Sequence, residues 1–461
     1  MSDIVCISPV DGREIARRRS LSRPEIANCV ATARKAQAQW ANVPIGERGR
    51  LCLAFVDAML AMREEIAPEL SWQMGRPIRY AGSELNGFEE RARYMIGIAG
   101  SALAPVEPAR KEGFRRYIRR EPLGIVLTIA PWNYPYLTAV NSVIPALMAG
   151  NAVLLKHAAQ TVLVGDRFQA AMDRAGMPKG IFQTVCLSHE ETAKLIGSGA
   201  VDQVCFTGSV GAGRTIEQAA AGTFAGVGLE LGGKDPAYVR PDADLPHAVE
   251  NLVDGSFFNS GQCCCGIERI YVHADVYEEF VDAFAALTGQ YILGDPLETE
   301  TTLGPMAQKR LADTVRGHVR DAVGRGARAL IDGGAFRRDS GEGCYLAPQI
   351  LVDVDHSMKV MMEETFGPVV GIMKVGDDAE AVRLMNDSPY GLTASIWTRD
   401  IDAAERIGGE IATGTVYMNR CDYLDPGLAW TGVKDTGRGA ALSSVGYEAM
   451  TRPKSFHMRT V

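Results

Sequence analysis

Three apolar runs, each closed by a turn and followed by residues at helical spacing, limit the folds open to this 461-residue chain. "GIVLTIA" (124–130) stops at Pro131. "NAVLLK" (151–156) leads into a stripe of Val164, Phe168, Ala171 and Ala175, and "DQVCFTGS" (202–209) opens a further strand-then-helix unit. Strands alternating with helices in this way predict a parallel, doubly wound sheet. Ligands of such sheets sit beyond the carboxyl ends of the strands, which singles out "PWN", "KHA" and "FTGSVGAGR". Upstream, from Arg23 to about Leu103, apolar residues recur at helical spacing (Ile26, Val30, Ala33, Trp40, then Leu53, Val56, Leu60), predicting a mostly helical opening region. "GFRRYIRREPLG" (113–124) alternates charged and apolar residues before Pro122 and reads as a half-exposed strand.

The length exceeds that at which single hydrophobic cores stop growing, so two or three domains are expected. The formal charge of −8 is spread along the chain, and the basic runs "ARRRS" and "FRRYIRR" lie between acidic residues. No nucleic-acid partner is expected from that pattern. The first residues lack the basic-then-apolar order of a signal peptide, and no run of about 18 apolar residues occurs. A cytoplasmic protein without a membrane association is the expectation.

Three of the ten cysteines stand side by side in "GQCCCGIER" (261–269). Cytosolic thiols stay reduced, and adjacent cysteines are too close to pair in unstrained disulfide geometry. Zinc ligands are usually separated by two to four residues and joined by a second pair or by histidines, which this neighbourhood lacks, so no metal is expected. Two readings stay open from the residues themselves: buried small hydrophobes, or a nucleophile.

The chain resembles the aldehyde dehydrogenase superfamily in a series of motifs that keep the family's order. They are "PWNYP" (131–135), "LLKHA" (154–158), "FTGS" (206–209), "LELGGK" (229–234), "FFNSGQCCCGIER" (257–269), "EETFGPV" (363–369) and "GVKDTGRG" (432–439). The length and "KHA" are similar to a short bacterial branch that includes succinate semialdehyde dehydrogenases. The resemblance implies an α/β fold: a doubly wound, Rossmann-like cofactor domain (1–102 and 123–232), an α/β catalytic domain (233–435) and a small β oligomerisation element (103–122 with 436–461). It also implies a homodimer or homotetramer, and oxidation of an aldehyde to the free acid through a cysteine thiohemiacetal and thioester.

Hydride loss from an aldehyde requires a tetrahedral carbon bearing a negative oxygen, and a thiolate forms that adduct well near neutral pH. The resemblance places Cys264 as the thiolate, with Cys263 and Cys265 as pocket wall. Asn133 is then the side-chain donor to the oxyanion beside the Cys264 amide, and Glu230 the carboxylate that activates water against the thioester. Trp132, Lys156, Gly208, Ser209, Glu364 and Phe366 fall where relatives hold the dinucleotide. "FTGSVGAGR" is not the GxGxxG fingerprint, but Gly208 and Ser209 open a helix toward the pyrophosphate. Ala159 stands where many NAD-preferring relatives carry a glutamate, so use of both NAD+ and NADP+ is expected. The substrate mouth is expected from Tyr134, Asn141, Phe258, Cys263, Asp422, Tyr423 and Trp430. The polar Asn141 admits a substrate with a polar tail, and a semialdehyde acid is suggested by the branch likeness alone, since no arginine of this set is aimed at a carboxylate.

Overall fold

The computed structural model describes residues 3–460. The three units read from the sequence form the centre of a six-stranded sheet. Its spatial order is Gly437–Arg438, Gly226–Glu230, Gln203–Thr207, Ile125–Ala130, Ala152–His157, Phe182–Thr184. All neighbours are parallel except the first strand, which runs antiparallel to Gly226–Glu230. Every residue of Ile125–Ala130 and Ala152–His157 is buried, as continuous apolar runs covered on both faces require. The chain reverses its direction of travel across the sheet between Ile125–Ala130 and Gln203–Thr207. That switch point opens a crevice above the carboxyl ends of the two strands, from which "PWN" and "FTGS" emerge.

The opening region is helical, as its spacing predicts: Arg23–Trp40, Ile45–Leu60, Arg63–Met74, Ile78–Ala81 and Glu84–Ala102. These helices cover the sheet through a cluster of rings in which Phe55 and Phe168 both pack against Phe88, at 5.7 and 6.0 Å between centroids. Trp40, fully buried, donates its indole N–H to Leu147 O at 2.8 Å, on the helix Pro135–Ala149.

A second sheet has seven strands in the order Arg328–Ala329, Gln349–Val352, Val369–Val375, Ile267–His273, Asp235–Val239, Thr393–Trp397, Thr415–Met418, antiparallel only at its first edge. Phe114–Pro122 and Thr451–Arg459 pair with each other in an antiparallel ribbon, Tyr117 stacked on Phe456 at 4.5 Å. The strand read at 113–121 therefore exists, and its partner is the C-terminal segment of the same chain.

Asn151 ties these parts together from a fully buried position. Its Oδ1 accepts the Gly124 N–H at 2.9 Å, and its Nδ2 donates to Ala146 O at 3.2 Å and Met450 O at 2.9 Å, closing the turn before the first strand and anchoring the C-terminal ribbon. Removing the carboxamide leaves buried backbone groups unpaired. Asn151→Ala is expected to lower unfolding free energy by about 2–4 kcal/mol. Urea unfolding of mutant and wild type measures this, and coincident midpoints would contradict it.

Candidate functional site

A cleft of about 960 Å³ lies at the switch point between the two sheets. Every residue named above for catalysis, cofactor or substrate lines it: Asn133, Glu230 and Cys264; Trp132, Lys156, Gly208, Ser209, Glu364 and Phe366; Tyr134, Asn141, Phe258, Cys263, Asp422, Tyr423 and Trp430.

The cysteine triplet follows a turn built against conformational preference. Asn259, Ser260 and Gly261 have φ of 53°, 56° and 68°. The two non-glycine residues are costly in this left-handed region and persist only where their surroundings hold them. Here the holding is specific: Asn259 Nδ2 donates to Gln262 O at 3.3 Å, Gln262 Nε2 donates to Asn259 O at 3.0 Å, and Gln262 Oε1 accepts the Ala307 N–H at 2.8 Å. Gly261 itself meets the Gly367 carbonyl so closely that an added Cβ would lie 2.3 Å from that oxygen.

Beyond the turn the three sulfurs lie within 4.8 Å of one another. Cys263 and Cys265 are buried, and Cys264 is half-buried in the cleft. The Sγ atoms of Cys263 and Cys265 each lie 3.0 Å from Asp422 Oδ1, and burial pushes that carboxyl well up toward its neutral form. Both thiols donate to that carboxyl oxygen. Contact with the Cys263 sulfur first, and then with that of Cys265, holds the Cys264 thiol well below its ordinary range. The same contact pushes the Cys263 thiol up to about 12.

Asn133 is buried beside this sulfur, its Nδ2 donating one hydrogen to Gln262 O at 3.1 Å and keeping the other. Its own carbonyl accepts from Arg76, whose Nε donates to Asn259 Oδ1 at 3.2 Å and whose Nη1 pairs with the buried Glu84. Sequence reading missed Arg76, Glu84, Asn259 and Gln262. Asn259 and Gln262 stand in the quoted "FFNSGQCCCGIER" without a role having been read for them, and for Arg76 and Glu84 the signal was an arginine and a glutamate eight apart at the start of a helical stretch.

Glu230 ends its strand half-buried in the cleft, and burial raises its carboxyl to about 7 against the opposing pull of Thr207, which donates at 3.2 Å, and of Arg91. Opposite it, Glu364 is raised to about 7 by burial and accepts the Gly233 N–H at 3.0 Å. The glycines of "LGGK" permit this approach: a Cβ on Gly232 would sit 2.4 Å from the Glu364 carboxylate, and one on Gly233 2.2 Å from the Cys264 carbonyl. Phe366, at φ 52°, meets Trp132 edge-on at 5.6 Å. Its backbone N–H and that of Thr365 are each accepted at 2.8 Å by Glu268, which pairs with buried Lys234.

At the far end of the cleft Lys156 is 8 % exposed, and among the described residues no acceptor touches its ammonium. Ser209 caps the eleven-residue helix Val210–Ala220 nearby, its Oγ accepting the Ala212 N–H at 3.4 Å. An unpartnered buried cation beside a free helix N-terminus fits the phosphates and ribose of a dinucleotide. The lining residues at this end, among them Ala159, His189, Thr192 and Ala212, include no carboxylate.

Residues 1–456 match the aldehyde dehydrogenase family. An aldehyde dehydrogenase of Paenarthrobacter nicotinovorans is 34% identical over 98% of this chain and 99% of its own length. A succinate-semialdehyde dehydrogenase [NADP(+)] of Mycobacterium tuberculosis is 33% identical over 96% of this chain and 97% of its own. The crystal structure of an NAD-dependent aldehyde dehydrogenase from Sinorhizobium meliloti, 31% identical, superimposes with a TM-score of 0.95, covering all of this chain and 92% of that one. Fold, motif order and whole-length similarity thus coincide, and the chain belongs to the aldehyde dehydrogenase family, oxidoreductases that convert an aldehyde to its acid with NAD+ or NADP+.

Proposed function

We propose that Cys264 is the nucleophile, Asn133 the oxyanion donor and Glu230 the base of this oxidation. The observation that carries the reading is the acidified half-buried thiol in one cleft with a raised carboxyl and a buried carboxamide that has a hydrogen to spare. The Cys264 thiolate adds to the aldehyde carbon, forming a C–S bond and a negative oxygen. That oxygen takes hydrogen bonds from Asn133 Nδ2 and the Cys264 backbone N–H, donors of a kind worth about 3 kcal/mol of barrier each. A bound nicotinamide supplies the acceptor for the hydrogen and electron pair whose loss leaves a thioester. Glu230 then takes a proton from water, the water oxygen bonds to the acyl carbon, and the C–S bond breaks to release the acid and restore the thiolate. Trp132, Glu364 and Phe366 would hold the nicotinamide end, with Lys156, Gly208 and Ser209 at the phosphates and adenosine ribose.

The remaining assignments rest on the same likeness. The first sheet with the opening helices (1–102, 123–232) is read as the cofactor domain and 233–435 as the catalytic domain. The exposed ribbon of Phe114–Pro122 and Thr451–Arg459 is read as the surface on which two or four copies assemble. A cytoplasmic location accords with the absence, among the described residues, of any helix long and apolar enough to cross a membrane.

Cys264→Ala is expected to abolish aldehyde oxidation, while Cys263→Ala and Cys265→Ala keep measurable turnover. Glu230→Gln should give a burst of reduced cofactor equal to the enzyme sites followed by turnover at least about 100-fold slower. Full activity in Cys264→Ala, or no burst in Glu230→Gln, would refute these roles.

A base must be unprotonated to work, and the Glu230 carboxyl is held up at about 7. Where thioester hydrolysis limits turnover, the rate should therefore fall as pH drops through 7. Thr207→Val removes a hydrogen bond that favours the charged carboxylate, so its acid limb should move to higher pH. Rate profiles from pH 5 to 9 read this, and a limb unmoved in Thr207→Val would contradict it.

The adenosine end, with a free lysine and no carboxylate, should accept both cofactors within about tenfold, or 1.4 kcal/mol. Ala159→Glu should shift the kcat/KM ratio toward NAD+, chiefly by repelling the 2′-phosphate. Strict NAD+ use by the wild type would overturn this.

A further inference from the structure

We infer that Arg91 is the recognition site for a carboxylate at the far end of the substrate, so that the enzyme acts on short aldehydes carrying an acid group. The inference rests on the placement of the reacting carbon at Cys264 proposed above.

Arg91 projects from the helix Glu84–Ala102, is 7 % exposed and lines the cleft. Its Nη1 donates to Leu137 O at 2.9 Å and, at 3.4 Å, to Asn141 Oδ1, both on the facing helix Pro135–Ala149. Its Nε and Nη2 have no acceptor among the described residues, and the guanidinium makes no ion pair within 4.0 Å. The anionic or ionisable groups that act on it, Cys265, Glu230, Cys264 and Glu90, do so from a distance. Glu90 is engaged at the rim of the cleft, accepting the Tyr423 hydroxyl at 2.6 Å.

The other buried arginine of the cleft is different. Arg76 is paired with Glu84 and donates to two further acceptors. A guanidinium taken out of water without a counter-ion is costly, and the edge that Arg91 leaves uncompensated is on the cleft, where a ligand can complete it. Arg91 stands beside Asn141 of the helix that follows "PWNYP", and its ionisable neighbours include Cys264 and Glu230, whereas those of Lys156 are Cys186, His157 and His189. An arginine with a free edge in a cleft suits a carboxylate better than a hydroxyl or an amine, because the planar fork matches two carboxylate oxygens. The Asn141 carboxamide holds one arm of the fork and fixes its orientation.

A rival role is electrostatic support of the Cys264 thiolate and Glu230, and it makes a different prediction. Support of the chemistry would affect every aldehyde alike and shift the pH profile; recognition of a carboxylate affects only substrates that carry one.

The test compares kcat/KM for 4-oxobutanoate and butanal, which share a four-carbon chain, in wild type, Arg91→Met and Arg91→Lys, with succinate as a competitive inhibitor of butanal oxidation. The wild type should prefer the oxo acid and be inhibited by succinate. In Arg91→Met the preference should fall about 30-fold or more, mostly through KM, and succinate inhibition should vanish; Arg91→Lys should keep part of both. Equal losses on the two aldehydes, or an unchanged ratio, would overturn the inference. A wild type that oxidises butanal but shows neither preference nor succinate inhibition also overturns it, leaving Cys264 as the nucleophile untouched. A wild type that binds succinate but oxidises neither aldehyde would refute the nucleophile and keep the anion site.

Discussion

Arg76 is where three distant parts of the chain meet. Only 2 % exposed, it pairs with Glu84 at the start of one helix, donates to the carbonyl of Asn133 after the first strand of the sheet, and donates to the side chain of Asn259 in the turn before the cysteines. Glu84 in turn accepts the Tyr136 N–H at 2.7 Å, fixing the start of the next helix. A buried pair of this kind is expensive to form and more expensive to break, by about 3–5 kcal/mol when one partner goes. What it secures is the position of a strained turn relative to a carboxamide, and the cleft has its shape because of that.

The same economy of burial sets the electrostatics. Glu230 and Glu364 are both raised to about 7 because the cleft withdraws them from water. The Cys264 thiol of the same cleft moves the other way, lowered by contact with the Cys263 and Cys265 sulfurs against the effect of its burial. Two buried cations that make no ion pair among the described residues, Lys156 and Arg91, line the same cleft. Groups that would be unremarkable in solution thus acquire different ionisation from a shared desolvation, each with its own local correction.

How much of this was legible in the sequence follows from the range of the interactions. The strand–helix units declared themselves because periodicity is local: Ile125–Ala130 ends where Pro131 forbids continuation, and Ala152–His157 is apolar throughout. The residues that converge on the cleft could be picked out because most of them sit in or beside short motifs whose order matched a family. Arg76 carries no such mark, since two of its three partners lie 57 and 183 residues away. Arg91 reads in the sequence as one more charged residue of an amphipathic helix, and only the facing helix shows that it has been left without a counter-ion. The two-residue strands at the sheet edges were too short to leave a pattern.

The central claim is that one sulfur of three is reactive because it faces the cleft and its neighbours, which keep their own protons, hold its thiol below the ordinary range. Peptide-resolved alkylation by iodoacetamide across pH 5 to 10 tests that claim most directly. Cys264 should be modified first, with an apparent ionisation well below that of a free thiol, while Cys263 and Cys265 stay unmodified in the folded protein. Alkylation of Cys263 or Cys265 ahead of Cys264, or a Cys264 that reacts only with the pH dependence of an ordinary thiol, would contradict the account.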